Sequence, residues 1–327
     1  MFSGRRSLSG SLLLLINRSW NDGELPSQWK EARIHPIPKT SRPVTPSDFR
    51  PISLLSVVSK IMERLVSARL YTHSERGGHI PDYQSGFRHA HSTLDHLTLI
   101  QHHAHAAFSQ NEYLVLVTLD INKAYDRAWR PALLDRLKHI GVSGNMLRWL
   151  HDFLRGRRRH VIVNGASSTW MEDKHGVPQG SPLSPLLFNI FIAPALEGVD
   201  LERALFADDM AVYASGASVP DICERISRSL KPLSAWARKW GVEFNFAKSG
   251  ATVLTQKHQT PTPAVTFQGK ALIHLQQVQY LGVILDRRLS WKPHLEMVRN
   301  RAVRKLEFLL SITTNVRGPS LEKILLL

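Results

Sequence analysis

The chain has 327 residues, 43% of them hydrophobic, a composition that buries a sizeable core and excludes a disordered protein. Its 42 Lys and Arg outnumber 27 Asp and Glu, giving +15, so a polyanionic partner is expected, nucleic acid first. The single cysteine, Cys223, excludes an intrachain disulfide and a cysteine-based zinc site. The apolar run "SLLLLI" is too short to cross a bilayer and no cleavage pattern follows it, so an intracellular chain with no signal peptide and no membrane contact is expected.

A helix is expected over 8–20, ended by "NDGELP". "ARIHPIPK" alternates and carries two prolines, as an edge strand does, and "FRPISLL" returns after a Pro/Ser turn to form a hairpin. Val58, Ile61, Met62, Leu65, Val66 and Leu70 recur with a helical period behind a Ser56 cap. "STLDHLTLIQHHAHAAF" starts a further helix at Ser92 or Thr93. "YLVLVTLDI" reads as a buried central strand, "PALLDRLKHIG" and "NMLRWLHDFLRG" as short helices, and "RRRHVIVNGASSTWMED" as a hairpin turning at Asn-Gly. "SPLSPLLFNIFIAPALEGV" predicts one long apolar helix, "ALFADDMAVYA" a hairpin, and "DICERISRSLKPLSAWARKWG" a helix interrupted near Pro232. "ATVLT", "AVTFQGKAL" and "VQYLGVIL" are short strands before a basic helix starting at "WKPHLEM". Helices mixed with hairpins, without strict alternation, favour α+β.

Asp208 and Asp209 interrupt an apolar, strand-forming run. Buried without a partner, such charges cost several kcal/mol or more. In a straight strand the two would face opposite ways, so a tight turn between two short strands is expected, with Asp208 at its tip. Adjacent aspartates also suit an ordinary solvated turn. What favours a site is Asp120, at the end of the strongest strand, with Asp126 six residues on. A sheet that sets this strand beside the hairpin brings Asp120 to Asp208, and their oxygens suit Mg²⁺ or Mn²⁺.

Three blocks in this order carry a resemblance: "LDINKAYD" (Leu119–Asp126), "HGVPQGSPLSPLLFNIFI" (His175–Ile192) and "FADD" (Phe206–Asp209). They resemble motifs A, B and C of the reverse transcriptase domain of non-LTR (LINE-type) retrotransposons, over about Trp29 to Leu295. The resemblance implies an α+β right hand: fingers over 1–110 with the N-terminal helix, palm over 111–287 with a fingers-type insertion around 127–175, and a truncated thumb over 288–327. The palm would be an antiparallel sheet with helices on one face. The resemblance further implies an RNA-directed DNA polymerase that extends a DNA primer along an RNA template with dNTPs and two Mg²⁺ ions, Mn²⁺ being an alternative.

In that likeness Asp120 and Asp208 hold the metals with the Ile121 carbonyl, and Asp209 is required beside them. Lys248 of "NFAKS" matches a general acid for pyrophosphate. Tyr125 matches the aromatic gate against a 2′-hydroxyl, where many relatives carry Phe. Gln179 matches a residue touching the incoming nucleotide, and Gly176 and Gly180 would let the backbone approach a base pair. Lys39 and Arg50 would grip the triphosphate. Arg88 of "QSGFRHAHST" would face the template, and Leu281 and Gly282 of "YLGVILD" match the primer grip. Arg299, Arg301, Arg304 and Lys305 would track the hybrid from the thumb. "RGRRRH" (Arg155–His160) suits template phosphates or a plain solvated loop. Histidines 102, 103 and 105 lack carboxylate or cysteine neighbours and are not read as a metal site. Trp236 and Trp240, four apart, are read as packing. An upstream endonuclease domain, missing here, and a nuclear or cytoplasmic ribonucleoprotein complete the expectation. Two other readings stay open: a defective fragment that only binds nucleic acid, and a group II intron-type reverse transcriptase.

Overall fold

The structure, a computed structural model, describes residues 3–313. Of the expected thumb, residues 314–327 lie outside the described residues. The chain opens with helix α1 (Ser3–Asp22), hairpin β1 (Glu31–Pro38) and β2 (Phe49–Leu54), and helices α2 (Val57–Arg76) and α3 (Thr93–Ser109). Strand β3 (Tyr113–Leu119) leads to a single turn, α4 (Ala124–Arg127), then α5 (Arg130–His139), α6 (Gly144–Leu154) and strands β4 (Arg157–Val163), β5 (Ala166–Ser167) and β6 (Met171–Asp173). Next come α7 (Ser184–Ile192), hairpin β7 (Glu202–Phe206) and β8 (Asp209–Gly216), then α8 (Val219–Ser229) and α9 (Lys231–Trp240). Strands β9 (Gly250–Leu254), β10 (Thr266–Phe267), β11 (Lys270–Ala271), β12 (Ile273–His274), β13 (Gln277–Tyr280) and β14 (Val283–Asp286) precede helix α10 (Lys292–Thr313).

Local signals explain most boundaries. The Ser56 hydroxyl accepts from the Ser59 N–H at the start of α2, and Ser92 with Asp95 closes a capping box on α3. Asn164 and Gly165, both at positive φ, turn β4 into β5. The long apolar helix expected after "SPLS" is shorter than its pattern. α7 stops at Ile192 and continues only as a 3₁₀ turn, Ala193–Leu196. Pro194 has no N–H to donate back into an α-helix.

The central sheet has the order β12-β9-β3-β8-β7, antiparallel except for the β12–β9 pair. Its middle strand, β3, is buried from Leu114 to Leu119. Helices cover both faces of this sheet, whereas the expectation put them on one. Val115, Val117 and Leu119 join the core of α7 and α8 through Leu187, Ile222 and Ile226. Leu114 and Leu116 face Ile100 and Ala104 of α3 and Val278 and Leu285 of the β13–β14 hairpin. A continuous apolar strand, not an alternating one, is the mark of such two-sided burial. Each side chain so buried contributes about 1.5–3 kcal/mol.

The second sheet has the order β2-β1-β4-β5, with β6 also on β4. β1 is therefore internal and not an edge strand. Its parallel pairing with β4 runs only from Glu31 to Ile34, so Pro36 and Pro38 lie beyond that ladder. Segment 127–175 thus returns to the N-terminal part of the chain. Lys30 and the Leu25 N–H both bind Asp152 at 2.6 Å, and Trp149 Nε1 donates to Ser19. Among the described residues, no helix is long and apolar enough to cross a membrane.

Candidate active site

The β7–β8 register pairs Phe206 with Asp209, leaving Ala207 and Asp208 as a two-residue turn with Ala207 at φ +57°. Asp208 stands at the tip and Asp209 begins β8. On the other side of β8, Leu119 pairs with Met210, so Asp120, one residue beyond β3, lies next to Asp209. The backbone of Asp120 is pinned by the segment carrying Lys248. Its N–H donates to Ser249 Oγ at 3.0 Å, and its carbonyl accepts from Asn245 N at 2.8 Å. Ser249 Oγ donates in turn to the Asn245 carbonyl. Ile121 bridges Phe244, with the two bonds made by flanking residues, so the Ile121 carbonyl turns to the opposite side.

Electrostatics tie these groups together. Burial holds the Asp208 carboxyl above the usual range, and Asp120 adds to the rise while Lys248 opposes it. Asp209 keeps contact with solvent, yet the surrounding protein, then Asp208 and Asp120, push it up to about 6. Burial also pushes up the phenols of Tyr125 and Tyr280, with Asp208 bearing on the first and Asp209 on the second. Both hydroxyls are buried and make no hydrogen bond. The site is thus a crowd of oxygens with one exposed ammonium, Lys248, to balance it.

Among the described residues, no group of three or more His, Cys, Asp or Glu side chains is arranged to hold a metal ion. A hard cation such as Mg²⁺ is commonly held by one or two carboxylates and completed by substrate phosphate and water. Two like-charged carboxylates, one raised by burial and by the other, are a donor set that such a cation suits.

Tyr125 stacks on Phe188 (centroids 4.7 Å apart, planes at 16°) and meets Phe87 edge-on. The loop before α7 is bound to this residue: Val177 N donates to the Tyr125 carbonyl and Gly176 N to that of Ala128. Gly176 sits at φ +70°, where a Cβ would stand 2.4 Å from the Tyr125 carbonyl oxygen. Gly180, at φ +123°, would place a Cβ 2.4 Å from the Ser53 carbonyl oxygen. The close approaches that these glycines permit are therefore made within the protein, to motif A and to β2, where a base pair had been expected. Gln179 donates to Asp126 Oδ1 at 2.9 Å, and its carbonyl accepts from Ser53 N at 2.6 Å.

Other expected residues stand apart from the carboxylates. Lys39 is exposed and donates to the Ser47 carbonyl of its own hairpin. Arg50 is exposed opposite Ile37, on the hairpin face away from Ile34 and Pro51. Those two residues, with Lys123, Asp126 and Arg159, line a cleft of about 530 Å³. Leu281 and Gly282, both at positive φ, form the turn of the β13–β14 hairpin. Arg88 is turned inward instead of toward a template. Its guanidinium pairs with both Glu75 oxygens and donates to the Pro81 and Gln84 carbonyls.

"RGRRRH" is also divided. Arg157 is buried, donates to the Phe153 carbonyl, and is pushed down to about 10 by burial, with Glu63 opposing. Arg159 pairs with Asp173, leaving Arg155 and Arg158 exposed. His103 contacts the Tyr213 hydroxyl. Trp236 packs on Phe191 and Trp240 on Trp129, as helix packing predicts. Arg299, Arg301, Arg304 and Lys305 are exposed on α10. Sequence reasoning missed Ser249, Asn245 and Tyr280, which hold or face the aspartates. Their place inside "NFAKS" (Asn245–Ser249) and "YLGVILD" (Tyr280–Asp286) was the available signal.

The class follows from this geometry and from comparison. The profile of the family described as "Reverse transcriptase (RNA-dependent DNA polymerase)" matches residues 37–285, and the chain belongs to that family. Its relatives are proteins of non-LTR retrotransposons. It is 33% identical to the "Probable RNA-directed DNA polymerase from transposon BS" of Drosophila melanogaster, over 90% of this chain and 34% of that protein. It is 35% identical to the "RNA-directed DNA polymerase from mobile element jockey" of the same species, over 88% and 32%. The chain thus spans about a third of the length of the curated relatives it matches. Among solved structures, apo telomerase from Candida tropicalis superposes with a TM-score of 0.54 at 14% identity, over 86% of this chain and 52% of that one. A form truncated from the C-terminal domain gives 0.54 at 15%, over 80% and 54%. That likeness establishes a right-hand polymerase fold.

Proposed function

We propose that this chain is the polymerase region of a non-LTR retrotransposon reverse transcriptase and performs RNA-directed DNA synthesis. It would add dNTPs to a DNA primer 3′-hydroxyl on an RNA template, as part of a nuclear or cytoplasmic ribonucleoprotein. Cleavage of the target strand would be supplied by an endonuclease outside this segment. The subdomains are fingers over 1–110, palm over 111–287 with the insertion 127–175, and thumb from 288 onward.

The supporting observation is the shared electrostatics of Asp208, Asp209, Asp120 and Lys248 at one sheet end. Asp120, Asp208 and the Ile121 carbonyl are the groups to hold divalent metal, two Mg²⁺ or Mn²⁺. When bound, the metal supplies charge stabilisation of the attacking and leaving oxygens. Tyr125, held by Phe188, blocks a 2′-hydroxyl. Lys248 gives a proton to the departing pyrophosphate. Lys39 and Arg50 neutralise the triphosphate, with Gln179 beside the nucleotide once it leaves Asp126. The Leu281–Gly282 turn seats the primer end.

The test is primer extension on poly(rA)/oligo(dT) with Mg²⁺. Asp208→Ala is expected to lower extension by roughly 10³-fold or more while RNA binding stays within about twofold. Robust extension by the variant would refute the site assignment. An inactive wild-type chain that still binds RNA would favour a binding-only remnant.

A further inference from the structure

Residues Tyr83 to Phe87 run beside the β7–β8 hairpin without belonging to the sheet ladder. Gln84 pairs with Leu205 as an isolated parallel bridge. Leu205 N donates to the Tyr83 carbonyl at 2.7 Å, and Ser85 N donates to the Leu205 carbonyl at 2.9 Å. The Gln84 side chain is fully buried. Its Oε1 accepts from Ala207 N at 3.0 Å and from Gly86 N at 2.8 Å, and its Nε2 donates to the Ala207 carbonyl at 3.4 Å. One amide therefore closes on both backbone polar groups of the residue before Asp208.

Ala207 has reason to need such a clamp. At φ +57° it adopts a left-handed conformation that disfavours any residue with a Cβ. The turn that projects Asp208 depends on that conformation. The clamp is anchored in turn. Asn189 of α7 donates to the Gly86 carbonyl at 2.6 Å, and a Cβ on Gly86 would come within 2.3 Å of Ala207 N. Only glycine at 86 allows the strand to lie so close to the turn.

We infer that Gln84 is a positioning residue, which holds Ala207 left-handed and thereby fixes the direction of Asp208. It touches no substrate and acts through the backbone of the catalytic turn. The kinetic consequence rests on the polymerase reading; the clamp itself does not.

Gln84→Met keeps length and apolar packing while removing all three bonds. In primer extension, kcat is expected to fall about 10- to 100-fold, as for a misplaced reacting group, with KM for dNTP and primer within about twofold. Adding Ala207→Gly to that chain should restore most of kcat, because glycine takes positive φ freely. An unchanged kcat, or a loss that Ala207→Gly leaves in place, overturns the inference. Amide exchange tests the clamp without activity. Gln84→Met should lose protection at the Ala207 amide while Met210 and Val212 stay protected. Equal exchange at Ala207 in both chains overturns the clamp. If the wild-type chain does not extend a primer yet shows the exchange change, the polymerase reading fails and the clamp stands.

Discussion

In the central sheet, the site's carboxylates stand at strand ends: Asp120 after β3, and Asp208 and Asp209 at the β7–β8 turn. Both faces of that sheet are buried, and distant segments hold the backbone of Asp120, through Asn245 and Ser249, and that of Ala207 before Asp208, through Gln84. In the sheet β2-β1-β4, charge lies along the open face, where Arg33 and Arg50 are exposed. The first arrangement transmits any disturbance through the fold. The second leaves its side chains free to meet a ligand, so their loss should act on binding alone. Substitutions on the central side should therefore change stability and kcat together, and substitutions on the open face should cost KM.

The largest effect on stability belongs to the joint between the two regions. Glu63 of α2 is fully buried, and its two oxygens accept from Ser59 and from Ser181, each at 2.5 Å. Arg157 of β4, also buried, is the cation that feels it. Glu63→Ala leaves two buried hydroxyls without their acceptor, at about 1–3 kcal/mol each, and is expected to cost about 2–5 kcal/mol in chemical denaturation. A cost below about 1 kcal/mol would mean that the two regions are not joined through this carboxylate.

Gly176→Ala comes next. Positive φ and the 2.4 Å approach to the Tyr125 carbonyl both oppose a Cβ. A cost of roughly 1–3 kcal/mol is expected. Displacing Tyr125 should also relax the preference for dNTP over rNTP in single-nucleotide extension. Unchanged selectivity with lowered stability would separate the glycine from the gate.

How far the sequence reached differs between the same two regions. The central sheet was legible because its signals are local: the unbroken run "YLVLVTL", two carboxylates at a turn, and capping Ser56 and Ser92. The parallel pairing of β1 with β4 was not, since it joins segments more than a hundred residues apart and no local pattern records it. The inward turn of Arg88 and Arg157 was hidden for the same reason. A cation's role is decided by its surroundings, here the Glu75 carboxylate for Arg88 and the buried Phe153 carbonyl for Arg157, and the charge pattern of the sequence does not reveal it. Gly176 and Gly180 were legible as close-approach positions but not for what they approach.

On the open face, Arg50→Ala tests the other half of the comparison. The Arg50 side chain is exposed and makes no hydrogen bond or ion pair among the described residues. The expected result is a rise in dNTP KM of about tenfold, or about 1.4 kcal/mol, with kcat and melting temperature little changed. A drop in melting temperature instead would place Arg50 in the fold and not in nucleotide binding.

The smallest effect is the most diagnostic of the central site. Asp209 titrates near 6 in the folded chain against an ordinary 3.8. Between those values the folded state holds the proton more tightly than the unfolded state does. Stability therefore falls as pH rises through that window, and the cost is fully present above about 6. Asp209→Asn removes it. The expected gain at pH 7.5 is roughly 1 kcal/mol, well below the full shift because solvent screens an exposed side chain, and it should vanish near pH 4. Mg²⁺ should recover part of the same cost in the wild-type chain, more at pH 7.5 than at pH 5, and not in Asp208→Asn. A stability gain that is independent of pH would mean that the crowded carboxylates are not what strains this end of the sheet.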